Sequence, residues 1–203
     1  MNSTSFTSNF FKESISLIEQ ISEIEVEKLA KELSNVRDKG GRLFIIGVGG
    51  SAGHASHAVN DFRKICGFEA YTPTDNVSEL TARINDEGWD SSIKAWLLGS
   101  RLSKNDGILI FSVGGGNKEK GVSINIVQAI DLAKEIGATV MGIVGRDGGH
   151  TALHADACVV IPPLYSDRIT PHTEGLCAVV WHLLVSHPEL QIHTTKWEGV
   201  DKR

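Results

Sequence analysis

Arg42-Leu-Phe-Ile-Ile-Gly-Val-Gly-Gly-Ser51-Ala-Gly-His54-Ala-Ser-His57-Ala-Val-Asn-Asp61-Phe-Arg-Lys64 is the stretch on which the fold turns. Leu43 to Ile46 is a short, wholly apolar run that predicts a buried strand, and Gly47 to Ser51 is the turn that leaves it for a helix. Glycines there permit a tight turn with positive φ, and Ser51 stands where an N-cap or a phosphate-facing hydroxyl belongs. The open N–H groups and the dipole of the helix's first turn favour an anion such as a sugar phosphate. His57 and Asp61 follow at i and i+4, on one helix face. By itself that pair also fits an ordinary solvated surface pair, and the spacing Gly47-x-Gly49 lacks the third glycine of a dinucleotide site.

The same alternation continues outward. Gly107 to Phe111 predicts a second buried strand, running into Ser112-Val-Gly-Gly-Gly-Asn117-Lys-Glu-Lys120-Gly121 and a helix from about Ser123 to Ile136. Ala138 to Val144 predicts a third, with the turn Gly145-Arg-Asp-Gly-Gly149, and Ala157 to Ile161 a fourth. Glu69 to Thr72 reads as a further short strand, Asn76 to Ile84 as a short helix with Asn85 and Asp86 in the loop beyond it, and Ile93 to Leu102 as a helix. Strand and helix in alternation predict an α/β fold with a doubly wound parallel sheet, whose ligands sit at the carboxyl ends of the strands. Both glycine-rich turns lie there.

Before the first strand, Phe10 to Ile21 and Glu23 to Val36 predict two amphipathic helices, after a frayed stretch at 1–8. Their apolar stripes suit a partner subunit. A last helix is expected from about His172 to Ser186, where Glu174, Ala178 and His182 share a face among core-like leucines and valines. Residues 188–203 read as an irregular tail in which neither His193 nor Trp197 carries a signal. The layout is one domain over 1–203: a helical pair at 1–40, an α/β core at 41–187, and the tail.

Composition bounds the function. With 203 residues, 41% of them apolar, and a formal charge of −5 without charge blocks, nonspecific nucleic-acid binding through a basic face is not expected. There is no basic segment leading into an apolar one at the N-terminus and no apolar run of about 20 residues. The expectation is a cytoplasmic protein that does not enter membranes. Cys66, Cys158 and Cys177 are scattered and read as buried, reduced thiols.

Gly47-x-Gly-Gly-Ser51, His57 with Asp61, Asn85-Asp86 before Gly88, the Ser112 loop, Gly145 to Gly149 and Asp167-Arg168-Ile169 occur in the order found in the phosphoheptose isomerases. The chain resembles that family of sugar isomerase (SIS) domains over nearly its whole length. The resemblance implies a flavodoxin-like three-layer fold and a homotetramer with N-terminal helices in the subunit contacts. It implies active sites between subunits and conversion of D-sedoheptulose 7-phosphate into D-glycero-D-manno-heptose 7-phosphate. It further implies zinc at the positions of His57, Asp61, Glu174 and His182, and catalytic roles for Asp61, Glu174 and His182. The phosphorylated seven-carbon sugar falls to Val48, Gly49, Gly50, Ser51, Asn85, Asp86, Ser112, Val113, Gly114, Asn117 and Asp167.

Three departures from the family pattern stand out. Asp61 takes the place of a glutamate, Glu174 that of a glutamine, and a hydroxyl-rich phosphate loop becomes Ser112-Val-Gly-Gly-Gly-Asn117. Residues 170–173 read as an insertion. A carboxylate, Asp61 or Glu174, would carry the proton of an enediolate mechanism while His182 serves the oxygens, and a metal ligand is not free to be the base as well. The alternatives are an isomerase of another phosphosugar or a noncatalytic SIS module that binds a phosphosugar or a protein.

Overall fold

A computed structural model describes residues 5–196 and 198–200. Five strands, all parallel, form one sheet in the order β2-β1-β3-β4-β5: β1 (Leu43–Gly47), β2 (Ala70–Tyr71), β3 (Gly107–Ser112), β4 (Thr139–Val144) and β5 (Ala157–Val160). Their apolar runs are buried on both faces because helices cover both sides. On one side α2 (Glu23–Asp38), α3 (Gly50–Lys64) and α8 (Ile169–Val185) pack against Leu43, Ile45, Leu109 and Phe111. On the other, α5 (Ser92–Gly99) and α6 (Ile124–Ile136) pack against Phe44, Ile46, Ile108 and Ile110. At the strands' amino ends, Asp106 accepts from the backbone N–H of Arg42 at 2.8 Å and from its guanidinium at 2.8 Å, which fixes β1 beside β3.

The strand order reverses direction between β1 and β3. At such a switch point the two following loops diverge to opposite faces and leave a crevice at the strand tips. The two glycine-rich turns flank it.

Several element boundaries differ from the sequence expectation. Helix α1 spans Phe6–Ile18, because Ser5 caps it by accepting from the Ser8 N–H at 3.2 Å. Residues 5–8 are therefore not frayed, and 1–4 and Trp197 lie outside the described residues. Helix α4 runs Val77–Glu87, capped by Asn76 and ended by Gly88 at φ 87°, so Asn85 and Asp86 are in its last turn and not in a loop. Helix α7 (Gly149–His154) is too short for a periodic signal. Residues 170–173 lie in the first turn of α8, where Pro171 gives up only an N–H that has no helical partner anyway. Cys66 and Cys177 are buried, whereas Cys158 is half-buried; burial pushes all three thiols up to about 12. No helix among the described residues is long and apolar enough to cross a membrane.

Candidate active site

The turn after β1 ends on Gly49, whose φ of 63° and ψ of −127° form the cap residue of α3 and exclude most side chains. Gly49 thus takes the cap position expected of Ser51. Ser51 sits inside the first turn, 6% exposed. Gly50 is needed for a second reason: a Cβ there would lie 2.6 Å from Glu174 Oε1 and 2.9 Å from Oε2. Helix α8 thus places the Glu174 carboxylate directly over the start of α3, where an anion was expected. It is held there by its own turn, since Thr173 packs onto Gly145 beyond β4. Glu174 makes no hydrogen bond or ion pair with any described residue.

Seven residues along α3, His57 meets Asp61, with Nε2 and Oδ2 3.6 Å apart. His182 of α8 completes a group whose ligand atoms all lie within 4.8 Å of one another. Trp181, fully buried, fixes both rings, stacked on His182 at 3.5 Å and edge-on to His57 at 4.8 Å. The His182 Nδ1 lies 2.7 Å from the Ala178 carbonyl, which can only accept, so Nδ1 carries the hydrogen and Nε2 presents its lone pair. Asp61 also accepts from the Asn60 side chain at 2.8 Å. A cavity of about 730 Å³ between the end of α3 and Thr194, Lys196 and Gly199 of the tail reaches Asp61. The tail contributes to that space, although its sequence carries no signal for it; Arg37 pins it by donating to the Glu189 and Leu190 carbonyls.

Two imidazoles and one carboxylate with room for a further ligand match the donor set of a catalytic zinc site. Glu174, the fourth residue of the expected set, lies eight residues, about two helical turns, before His182 and is not part of that group.

The loop after β3 is built mainly from backbone. Ser112 Oγ accepts from the Gly115 N–H at 3.1 Å, while the Gly114 and Gly116 amides are open. Asn117 starts a tight hairpin, exchanging backbone bonds with Val122, and its side-chain oxygen accepts from the Lys120 N–H at 2.8 Å. Its role is to shape the loop. Lys118 is drawn to Asp131 at 3.6 Å. The turn after β4 brings Arg146, held in the left-handed region at φ 54°, beside the same loop, its Cδ 3.4 Å from where a Cβ on Gly114 would lie. Nothing in the residue pattern singles out Arg146.

Val48 lines the turn half-buried. Val113 lies beside Gly145. Asp167, exposed in the 3-10 turn before α8, accepts from Ser166 at 3.3 Å. Asn85 and Asp86 lie in the last turn of α4, which packs on α5, and the two bond to each other at 2.7 Å.

A SIS-domain family model matches residues 9–145. A phosphoheptose isomerase from Thermodesulfovibrio yellowstonii is 31% identical over 192 residues, covering 88% of this chain and 86% of that protein. The chain belongs to the phosphoheptose isomerase family of SIS domains. The chain is also similar to lincomycin biosynthesis protein LmbN of Streptomyces lincolnensis, 34% identical over 159 residues, which cover 73% of this chain and 56% of that protein. In fold, this SIS domain matches the phosphoheptose isomerase structure from Francisella tularensis with a TM-score of 0.76 at 20% identity, over 92% of this chain and 97% of that one.

Proposed function

We propose that the protein is an aldose–ketose isomerase that converts D-sedoheptulose 7-phosphate into D-glycero-D-manno-heptose 7-phosphate, with Glu174 as the base. One observation carries this: a carboxylate without a hydrogen-bond partner among the described residues lies over Gly50 at the switch point, and a group of two imidazoles and a carboxylate stands farther along α3 and α8. The step from Gly50 to His57 is about 10 Å of helix axis, and side chains lean back toward the helix N-terminus.

Glu174 takes the proton from C1 of the ketose, the electron pair forms the C1–C2 double bond of an enediolate, and the same carboxylate returns the proton at C2. Protons must also leave O1 and reach O2, and His57, Asp61 and His182 Nε2 face those oxygens. Zinc held by His57, Asp61 and His182 would polarise the carbonyl and steady the enediolate. The phosphate binds at the β3–α6 loop, to the Gly114 and Gly116 amides, the Ser112 hydroxyl and the Arg146 guanidinium. Val48, Gly49, Ser51 and Asp167 border the sugar.

The assembly is a homotetramer in the cytoplasm. Phe6, Phe11, Ile15 and Ile18 leave an uncovered apolar side on α1, and the side chain of His57 is 56% exposed. A second copy covers both, which closes the site from water.

The test is isomerisation of sedoheptulose 7-phosphate by the zinc-quantified protein beside Glu174→Gln. Turnover in the native chain that is lost in the variant is expected. No turnover by the zinc-loaded oligomer would overturn the heptose assignment and favour another phosphosugar or a binding module.

A further inference from the structure

We propose that Glu13, on α1 and outside the residues assigned to the active site, is a positioning residue for Glu174 that acts through Arg168 and His172. The proposal rests on Glu174 being the base.

Glu13 is 8% exposed, unusual for a carboxylate on a helix at the edge of a domain. Arg168 grips it in a fork, Nε to Oε2 at 2.7 Å and Nη2 to Oε1 at 2.8 Å, and His172 Nε2 approaches Oε2 at 2.9 Å. Phe10 stacks on the His172 ring at 4.4 Å, and Ser14 Oγ lies 3.5 Å from its Nδ1. The partners are 155 and 159 residues away in sequence, so this is a tertiary clasp between α1 and the start of α8.

The start of α8 needs such a clasp. Its cap residue is Arg168, which offers no side-chain acceptor to the open N–H groups, and Pro171 falls in its first turn. Glu13 holds the residue before that turn and the residue that ends it. Two residues on stands Glu174, whose carboxylate has no partner to hold it over Gly50. Thr173 fixes the turn on its sheet side, and Glu13 fixes it on the outer side.

Attachment of α1 alone does not account for the trio. Within α1 only Glu13 and Leu17 are buried, while its large apolar residues face outward. A buried ion pair is a poor source of stability compared with apolar packing of the same volume. What a forked pair supplies is direction, and here the direction is that of the helix carrying Glu174.

The test compares the full chain, E13Q, E174Q and the double variant E13Q/E174Q. E13Q should lower kcat by about 10- to 100-fold, the loss expected of a reacting group misplaced by about 1 Å. KM should change by less than about twofold. In the E174Q background, E13Q should cost nothing further, and a crystal structure of E13Q should show the Glu174 carboxylate displaced from Gly50. Equal losses in both backgrounds, or an unmoved Glu174, would overturn the proposal. If E13Q does not fold, Arg168→Lys, which keeps one charged bond to Glu13, should give the same kcat-selective, nonadditive loss. If the native chain does not isomerise the sugar, the heptose assignment fails, while the crystal structure still decides whether Glu13 places Glu174.

Discussion

Helices α3 and α8 lie side by side, and the two ends of their contact are built on opposite principles. Near the start of α3 a single carboxylate stands without any hydrogen-bonded support, in a space that exists only because residue 50 has no side chain. Toward the other end, His57, Asp61 and His182 support one another, with Trp181 behind the rings and the Ala178 carbonyl fixing a tautomer. A group that must give and take a proton keeps its lone pairs uncommitted, whereas a group that must hold a cation is locked in place beforehand. The resemblance to relatives treats these four side chains as one set; the function proposed above divides them into a mover and a holder.

That division can be broken from either side. Glu174→Gln should reduce turnover by at least about 100-fold, the lower range for loss of a general base, while zinc content by elemental analysis stays at the native level. His182→Ala should do the reverse at the metal, with zinc affinity falling by more than the about 10- to 100-fold typical of losing a mere supporting contact. Zinc loss in Glu174→Gln would join the two ends again. Gly50→Ala sharpens the contrast: the new methyl meets only the flexible end of Glu174. It should slow turnover by about tenfold, with zinc unchanged and stability within about 1 kcal/mol.

The smallest effect concerns acid. Bonds from Arg168 and then His172 hold the Glu13 carboxyl at about 2, below its ordinary 4.5. The sign follows from a depressed folded-state value: the contribution to stability is complete above pH 4.5 and disappears as pH falls toward 2. The difference in thermal midpoint between the native chain and Glu13→Gln should therefore be constant above pH 4.5 and close below it. A difference independent of pH would remove the charge from the account.

Strands β1, β3, β4 and β5 were legible because each is an unbroken apolar run, the mark of burial on both faces. The crevice was legible as well, since alternation of strand and helix puts every such turn at one end of the sheet. What escaped the sequence depends on register between distant segments. Glu174 and His182 were readable as one face of a helix, but not that the first would meet Gly50 and the second His57. Asn85 and Asp86 resembled a loop because polar residues before a glycine suit both a turn and a final helical turn. Glu13 is one acid among many until the chain folds its partners onto it, and Arg146 owes its interest to a left-handed backbone that no residue type announces.

The loop that follows β3 is stitched to the neighbouring turn at several points. The Gly115 carbonyl accepts from both the backbone N–H and the hydroxyl of Thr151, at 2.9 and 2.8 Å, and the Gly116 carbonyl from the His150 N–H at 2.8 Å. Three consecutive glycines would otherwise be among the most restless segments of the chain, and freezing them around a ligand would erode affinity by about 1–2 kcal/mol per residue. Here folding has already done the freezing. On the function proposed above, a phosphorylated sugar arriving at the crevice would meet peptide groups that need not wait for it, and the recognition energy of those amides would go into residence time and hardly at all into restraining the protein.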